Sequence, residues 1–197
     1  MHTHPEKKVA ILLLAAGPSR RLGTPKQMLP YKDRSLLRHI TEIAVASKAC
    51  QTCVVLGAGA RRLEKEIAHL PVESVYNPEW DEGLGSSIRS GVAAVPDVAD
   101  AVLILLCDQP LVSAELLDEL IGAYRSSGKA IVACEYGGNL GAPALFDRSL
   151  LPELAGLGGD RGAKQIIAAH AEEVYRIAFP EGAVDVDTMN DYQSLIL

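Results

Sequence analysis

Positively charged side chains are concentrated in one short, glycine-containing segment near the start of the chain. Arg20, Arg21 and Lys26 follow the run L-A-A-G at 14–17, whose last three residues are small. Small residues let backbone N–H groups approach an anion closely, and arginine and lysine add charge-assisted contacts to phosphate oxygens. The segment matches neither the Walker A pattern nor the dinucleotide-binding glycine fingerprint. It therefore predicts a phosphate-binding loop of another kind, with a plain basic surface loop as the alternative.

Two aspartates stand where a divalent cation could be bound. Asp108 follows closely on the apolar run 101–106, and Asp187 belongs to the D-V-D-T segment 185–188. An acid at the carboxyl end of a buried strand is poorly placed for packing. Mg²⁺ prefers one or two carboxylates together with phosphate oxygens and water. The plainer interpretations are a turn before Pro110 and a cluster of helix N-cap residues around 185–188.

A second loop with glycines and serines follows the apolar run 72–76. Gly83 and Gly85 are expected to bring the backbone close to a flat ligand. Ser86 and Ser87 can cap the next helix and offer hydroxyl groups. A helix cap after a flexible turn is the simpler alternative.

The segment 158–164, which reads G-G-D-R-G-A-K, combines glycines with charged side chains near a predicted helix start. Arg161 and Lys164 would suit an anionic ligand there. The plain alternative is a surface loop capped by Asp160.

The elements that must position these residues alternate along the chain. Apolar runs predict strands at 9–14, 52–56, 72–76, 101–106, 130–134 and 174–177, with a short one at 144–146. Helical spacing predicts helices at 36–47, 61–69, 86–95, 163–171 and 190–197, and one that is capped by Ser113. This alternation predicts a three-layer α/β/α Rossmann-like fold with a mostly parallel central sheet. Ligands bind outside the carboxyl ends of such strands, so the chemistry is expected in the loops after Leu14, Tyr76 and Leu106.

Composition narrows the classes of protein that fit. The 197 residues are 48% hydrophobic and 22% charged, as is ordinary for one α/β domain. The net charge of −6 argues against a nucleic-acid binder. No apolar run approaches the roughly 20 residues of a membrane span. The first apolar run, 9–16, leads into the basic loop and not into a signal-peptide cleavage site, so we expect a cytoplasmic protein. Cys50 and Cys53 lack a second ligand pair for zinc, so we interpret them as buried or edge thiols.

The pattern L-A-A-G-x-S-x-R-x-G-x-x-K over residues 14–26, followed by Leu29-Pro30, resembles the signature of nucleotidyltransferases related to molybdenum cofactor biosynthesis. It is closest to the CTP:molybdopterin cytidylyltransferase branch. In that family the loop wraps the triphosphate of the nucleotide. The resemblance assigns nucleotide binding here to Leu14, Ala15, Ala16, Gly17, Ser19, Arg21 and Lys26. Ala16 stands where the guanylyltransferase branch usually has glycine, which favours cytidine.

The remaining motifs extend the resemblance from Ala10 to Tyr192. Segment 77–87 is similar to the family loop that contacts base and ribose, which implies nucleotide binding by Gly83 and Ser87. Asp108 matches the metal-binding acid of a D-Q-P motif and also contacts the nucleotide, and Asp187 matches the second metal ligand. The residues with an implied catalytic role are Arg21, Lys26 and Asp108. The residues with an implied acceptor-binding role are Asp160, Arg161 and Lys164.

The resemblance implies one nucleotidyltransferase domain over residues 1–197, with 136–165 contributing an acceptor-side region. The implied reaction transfers CMP from CTP, or a nucleotide from another NTP, to molybdopterin with Mg²⁺ and releases pyrophosphate. The implied partners are the NTP, a phosphorylated acceptor and, transiently, a molybdoenzyme or its chaperone, without nucleic acid or membrane. The family often carries His or Asn where Ala142 stands, and Pro and Glu where Met189 and Asn190 stand.

Other functions stay open from the sequence alone. Oxidoreductases that act on dyes or quinones share parts of the pattern, so an NAD(P)H-linked oxidoreductase is one alternative. A GTP-using or sugar-phosphate nucleotidyltransferase is another. The D-x-D pattern also occurs in glycosyltransferases, although usually after a mid-chain strand. A nucleotide sensor would bind NTP without releasing pyrophosphate.

Overall fold

A mostly parallel β-sheet forms the centre of the fold in the computed structural model, which describes residues 6–196. The strands are β1 Val9–Ala15, β2 Pro30–Tyr31, β3 Arg34–Ser35, β4 Gln51–Leu56, β5 Glu73–Tyr76, β6 Ala101–Leu106, β7 Ile131–Tyr136, β8 Asn139–Asp147 and β9 Val174–Ala178. The α-helices are α1 Leu36–Ala46, α2 Ala60–Ile67, α3 Leu84–Ala93, α4 Ala114–Ser127, α5 Leu151–Ala155, α6 Lys164–Ala169 and α7 Met189–Ile196. Short 3₁₀ turns lie at Lys26–Met28, Trp80–Glu82, Arg148–Leu150, Ala171–Glu173 and Pro180–Ala183.

The main sheet has seven strands in the order β5-β4-β1-β6-β8-β7-β9. β1 lies between β4 and β6 and is parallel to both. β8 runs antiparallel to its neighbours β6 and β7. The predicted α/β fold with a mostly parallel sheet is confirmed, and its parallel half brings the carboxyl ends of β1, β4, β5 and β6 to one edge.

Strand β1 shows why helices cover both faces of the sheet. All its residues are buried, and successive side chains of a strand point to opposite faces. Ile11 and Leu13 belong to the apolar cluster that contains α1, α2 and α4 residues. Leu12 and Leu14 belong to the cluster with α3, α5 and α6 residues. The continuous apolar run therefore forms the middle layer of the predicted three-layer arrangement.

The antiparallel half of the sheet differs from the sequence prediction. The short strand expected at 144–146 is the nine-residue strand β8, and helix α5 was not expected. Gly141 and Pro143 obscure the strand pattern because neither residue favours a strand interior. The pairing of β7 with β8 shifts register between Ala133 and Cys134, near these residues. Tertiary pairing with β6 and β7 thus overrides a weak local signal.

The helix starts are partly as predicted. The Ser113 hydroxyl accepts a hydrogen bond from the Leu116 N–H at the start of α4, as expected for an N-cap. The last predicted helix is observed as α7, and Leu197 lies outside the described residues. No helix within residues 6–196 combines the length and the apolar character that a membrane crossing requires.

Candidate active site

The loops after β1, β5 and β6 meet at the carboxyl edge of the sheet. Together they line a pocket of about 270 Å³, which we call the small pocket. Its lining includes Ala16 and Lys26 from the first loop, Gly83 and Ser87 from the second, and Asp108 from the third. The structure therefore brings together candidate residues from three separate sequence motifs.

Lys26 connects the two candidate metal ligands. Its Nζ donates to Asp108 Oδ2 at 2.5 Å and to Asp187 Oδ1 at 3.2 Å. The side chains of Lys26 and Asp108 are only 18% and 19% exposed. Burial alone would lower the pKa of Lys26, but the two carboxylates raise it above its ordinary value. Lys26 therefore stays positively charged beside two negative groups in a shielded cleft.

The segment that carries Asp187 is fixed against the β6 loop. The Val186 N–H donates to the Asp108 backbone carbonyl at 2.9 Å, so the two acids are held together through the main chain. At the start of α7, Asp191 Oδ2 accepts hydrogen bonds from the Thr188 N–H and hydroxyl, at 2.7 and 2.8 Å. The Asp191 N–H donates in return to Thr188 Oγ1 at 3.3 Å. This reciprocal cap shows that the N-cap role expected for the segment coexists with Asp187 lying in the cleft.

The basic loop after β1 is shaped by Ser19 and Gln27. Gln27 is buried, and its amide donates to the carbonyls of Ala15 and Gly17 at 2.9 and 2.8 Å. Ser19, which has a left-handed φ of 54°, accepts a hydrogen bond from the Lys26 N–H at 2.9 Å. These contacts turn the chain back, so that Lys26 lies over the strand ends.

The same loop lines an open cleft of about 310 Å³, the arginine cleft. It contains Arg20, Arg21, Lys26 and Asp187. The guanidinium of Arg21 donates to Asp187 Oδ2 at 2.7 Å, although 69% of its side chain is exposed. Exposed ion pairs contribute little to stability. Arg21 is therefore better suited to binding a ligand than to stabilising the fold.

Asn77 organises the loop after β5, a role that was not predicted from the sequence. Its side-chain amide is completely buried and donates to the hydroxyls of Ser86 and Ser87 at 2.9 and 3.1 Å. The Ser86 hydroxyl in turn donates to the carbonyls of Glu79 and Gly83. The expected capping role of Ser86 and Ser87 is wrong, because α3 already begins at Leu84 and both serines lie inside its first turn.

Gly83 and Gly85 lie against segment 158–160, whereas we expected them to lie against a flat ligand. A Cβ on Gly85 would lie 2.7–2.9 Å from backbone atoms of Gly158, and a Cβ on Gly83 would lie 2.5 Å from Asp160 Oδ1. The Gly85 N–H also donates to the Gly159 carbonyl at 2.9 Å. The glycines thus allow segment 158–160 to pack directly on the β5 loop, and Gly83 still lines the small pocket.

A larger cavity of about 480 Å³, the apolar cavity, adjoins Asp108. Its polar lining residues are Asp108, Gln109, Tyr136, Asp160, Lys164, Gln165 and Asp185. Its other walls are formed mainly by aliphatic side chains such as Leu14, Ile104 and Ile167. Burial and then repulsion from Asp187 and Asp108 raise the pKa of Asp185. The lining of the cavity therefore suits a ligand that is partly apolar and carries a few polar groups.

The structure separates the three residues that the sequence assigned to an acceptor. Asp160 and Lys164 line the apolar cavity, and Asp160 also lines the arginine cleft. Arg161 is exposed and lies outside both linings. Its guanidinium instead donates to the Gly158 carbonyl at 3.2 Å, which fixes the turn. Because Arg161 lies outside the linings of both spaces, its acceptor-binding role stays a prediction.

Asp108 and Asp187 form a donor set that suits Mg²⁺ or Mn²⁺. Within residues 6–196, no group of three or more His, Cys, Asp or Glu side chains is arranged to hold a metal by itself. A pair is sufficient for a cation that also binds phosphate oxygens and water. Asp108 Oδ1 is buried and has no hydrogen-bond partner among the described residues. An oxygen in that state is available to a cation.

The comparisons with known proteins identify the family. Residues 11–174 match the MobA-like NTP transferase domain. The chain is 30% identical to nicotine blue oxidoreductase of Paenarthrobacter nicotinovorans, over 94% of this chain and 95% of that protein. It is 28% identical to purine catabolism protein PucB of Bacillus subtilis, over 92% of each. The chain belongs to the family of MobA-like NTP transferase domains.

Two solved structures are similar to this chain over almost its whole length. Rv0371c from Mycobacterium tuberculosis matches with a TM-score of 0.85 at 31% identity, covering 97% of this chain and 98% of that one. A complex of that protein with manganese matches with a TM-score of 0.81 at 30% identity, covering 96% and 98%. By its family match the chain is a nucleotidyltransferase, and enzymes of this kind typically use divalent metals.

Proposed function

We propose that this chain transfers CMP from CTP to molybdopterin and releases pyrophosphate. The observation that carries the proposal is the position of Lys26, whose Nζ contacts both Asp108 and Asp187 beneath the loop that bears Arg21. This geometry supports the proposal because it combines cations that can bind phosphate oxygens with a carboxylate pair in one cleft, as nucleotidyl transfer requires. Ala16 lines the small pocket and stands where the guanylyltransferase branch usually has glycine, which supports cytidine as the base.

Three adjoining spaces supply the subsites of this reaction. The small pocket, with Ala15, Ala16, Gly83 and Ser87, would hold the nucleoside. The arginine cleft would hold the triphosphate, with Arg21 and Lys26 on its oxygens. The apolar cavity would hold the acceptor, and Asp108 borders both the nucleoside and the acceptor. The acceptor phosphate would therefore lie beside the α-phosphate.

The chain's own side chains mainly bind and orient the reactants. An oxygen of the acceptor phosphate attacks the α-phosphorus, and the bond to the leaving pyrophosphate breaks in line with it. Lys26 and Arg21 stabilise the negative charge that develops on the transferred group and the pyrophosphate. A phosphate acceptor is already ionised, so no protein base is needed. Mg²⁺, held by Asp108 and Asp187, would neutralise further phosphate charge when bound.

A pyrophosphate-release assay tests the proposal. CTP, GTP, ATP and UTP are each supplied with Mg²⁺, with and without molybdopterin. We expect release only when molybdopterin is present, and fastest with CTP. Release that is equally fast without molybdopterin, or absent with every nucleotide, would contradict the proposed function.

Matched variants connect the activity with the site. Lys26→Met and Asp108→Asn are expected to slow the reaction by about 100-fold or more, as is typical when a charge-stabilising group is removed. Lys65→Met and Asp33→Asn make the same chemical changes at exposed positions and are expected to leave the rate unchanged. If the two pairs of variants lost activity equally, the cleft would not be the reaction centre.

One relative supports a second candidate function. The full-length similarity to nicotine blue oxidoreductase favours an NAD(P)H-linked reduction as the alternative. Oxidation of NADH or NADPH, followed at 340 nm with quinone and dye acceptors, distinguishes the two functions. We expect no nicotinamide oxidation above that of the Asp108→Asn variant.

A further inference from the structure

Gln109 occupies a central position between the candidate reaction centre and the apolar cavity. It follows Asp108 directly, is 3% exposed and lines the cavity. The proposed reaction assigns no role to this residue. A buried amide needs partners for both its nitrogen and its oxygen, so its contacts indicate what else binds there.

The nitrogen of the Gln109 amide is fully engaged. Nε2 donates to the Ala142 carbonyl at 2.9 Å, with further contacts to Tyr136 Oη at 3.3 Å and to the Gly182 carbonyl at 3.4 Å. The Tyr136 hydroxyl uses its own proton on the Ala142 carbonyl at 2.8 Å. Rotating the amide by 180° would place its oxygen against three oxygens. The amide therefore has one acceptable orientation.

The oxygen of the same amide is the unmatched atom. Gln109 Oε1 is buried and has no hydrogen-bond partner in the described part of the chain. The contacts of the nitrogen fix the position of Oε1, and an amide oxygen can only accept a hydrogen bond. A carbonyl or phosphate oxygen brought to this position would be repelled, whereas an N–H or O–H group would satisfy it.

We propose that Gln109 Oε1 accepts a hydrogen bond from an N–H or O–H group of the acceptor substrate and thereby helps to select it. This inference rests on the proposed function, which places the acceptor in the apolar cavity. Asp160 and Asp185 line the same cavity and are also hydrogen-bond acceptors, and Lys164 is its charged donor, so the lining suits a ligand that carries donor groups as well as an anionic group. The phosphate of the ligand would instead lie towards Lys26.

The test uses full-length protein, with molybdopterin as the acceptor and CTP as the nucleotide. Gln109→Met removes Oε1 while keeping a side chain of similar length. We expect the KM for molybdopterin to rise about 10- to 100-fold, because a buried hydrogen bond to the ligand is lost. The Kd for CTP, measured by calorimetry without acceptor, is expected to stay within about twofold of wild type. Gln193→Met makes the same change on the exposed face of α7 and should alter neither value.

A second variant separates recognition from simple support of the cavity wall. Tyr136→Phe removes a partner of Nε2 and a hydrogen bond to Ala142 but leaves Oε1 in place. It is expected to raise the KM for molybdopterin several-fold less than Gln109→Met does. An equal rise would assign the effect to the network and overturn the inference, as would an unchanged KM in Gln109→Met.

A measurement on the wild-type protein avoids any question of folding. In a crystal structure of the wild-type complex with molybdopterin, we expect a ligand nitrogen or hydroxyl within about 3.2 Å of Oε1. A water, a carbon or an acceptor oxygen at that place would overturn the inference. If wild-type protein released no pyrophosphate with any NTP and molybdopterin, the proposed function itself would fail, which is a distinguishable result.

Discussion

Because Gly85 packs directly on segment 158–160, we expect Gly85→Ala to destabilise the protein and to weaken CTP binding. Gly85 is buried in the first turn of α3, and its φ lies outside the left-handed region. An alanine there is therefore limited by space and not by backbone conformation. The added Cβ would lie 2.7, 2.8 and 2.9 Å from N, Cα and C of Gly158. Real Cβ atoms do not approach backbone atoms this closely, so one of the two loops must move.

The cost of Gly85→Ala follows from this overlap. Forcing an extra methyl group into a packed interior typically costs about 1–3 kcal/mol. For a protein of this size, that lowers the melting temperature by roughly 2–12 °C. Gly83 lines the small pocket and Asp160 lines the arginine cleft, so movement of the 158–160 turn would distort both spaces and is expected to weaken CTP binding by about 10-fold.

A matched control uses the same substitution in open space. A Cβ on Gly122, within α4, meets no atom within 4 Å. Gly122→Ala is expected to stabilise the protein by up to about 1 kcal/mol, because alanine favours a helix interior over glycine. Differential scanning calorimetry measures both variants, and titration calorimetry measures CTP binding. If Gly85→Ala melted as high as Gly122→Ala and bound CTP normally, the close packing of the two loops would be refuted.

Further predictions concern the loop, the fold and the acceptor side. Gln27→Met removes a buried donor to two carbonyls of the basic loop and should weaken CTP binding about 10-fold, as measured by calorimetry. Unchanged CTP binding would show that Gln27 does not hold the loop in its binding conformation. Tyr124→Phe loses a 2.7 Å bond to Asp147 and should lower urea stability by about 1–2 kcal/mol at pH 7. Burial alone would raise the pKa of Asp147, but hydrogen bonds from Tyr124 and Ser149 hold it below its ordinary value. The stabilisation is therefore present above the unfolded-state pKa and is lost as the pH falls through the folded-state pKa. If the difference in unfolding free energy between Tyr124→Phe and wild type stayed constant with pH, this prediction would be wrong. Lys164→Met should raise the KM for molybdopterin more than Arg161→Met, since only Lys164 lines the apolar cavity, and the reverse order would contradict that placement.

The sequence was sufficient to predict which motifs meet. Strands that alternate with helices form parallel pairs, and the carboxyl ends of parallel strands share an edge. The loops that carry Lys26, Gly83 and Asp108 follow such strands and do line one pocket. The position of Asp187 could not be derived in this way, because it depends on the chain returning to the β6 loop after β9. Only the resemblance to a family pattern placed it in the site.

Other features depend on contacts that no local pattern contains. Gly85 resembles a glycine that serves a ligand, but its constraint comes from Gly158, more than 70 positions away in the sequence. Strand β8 is long because β6 and β7 pair with it, despite Gly141 and Pro143. Polar residues that hold loops together, such as Gln27, look like ordinary surface residues until their burial is known.

We propose that Asp108, Asp187 and Lys26 form one site for a metal-bound nucleoside triphosphate. Anomalous diffraction from crystals grown with Mn²⁺ and a non-hydrolysable CTP analogue would locate both the metal and the nucleotide. We expect the manganese signal between the carboxylates of Asp108 and Asp187, with the triphosphate along the basic loop and Lys26 on its oxygens. Manganese bound away from both aspartates, or a nucleotide outside the arginine cleft, would show that these residues do not form such a site.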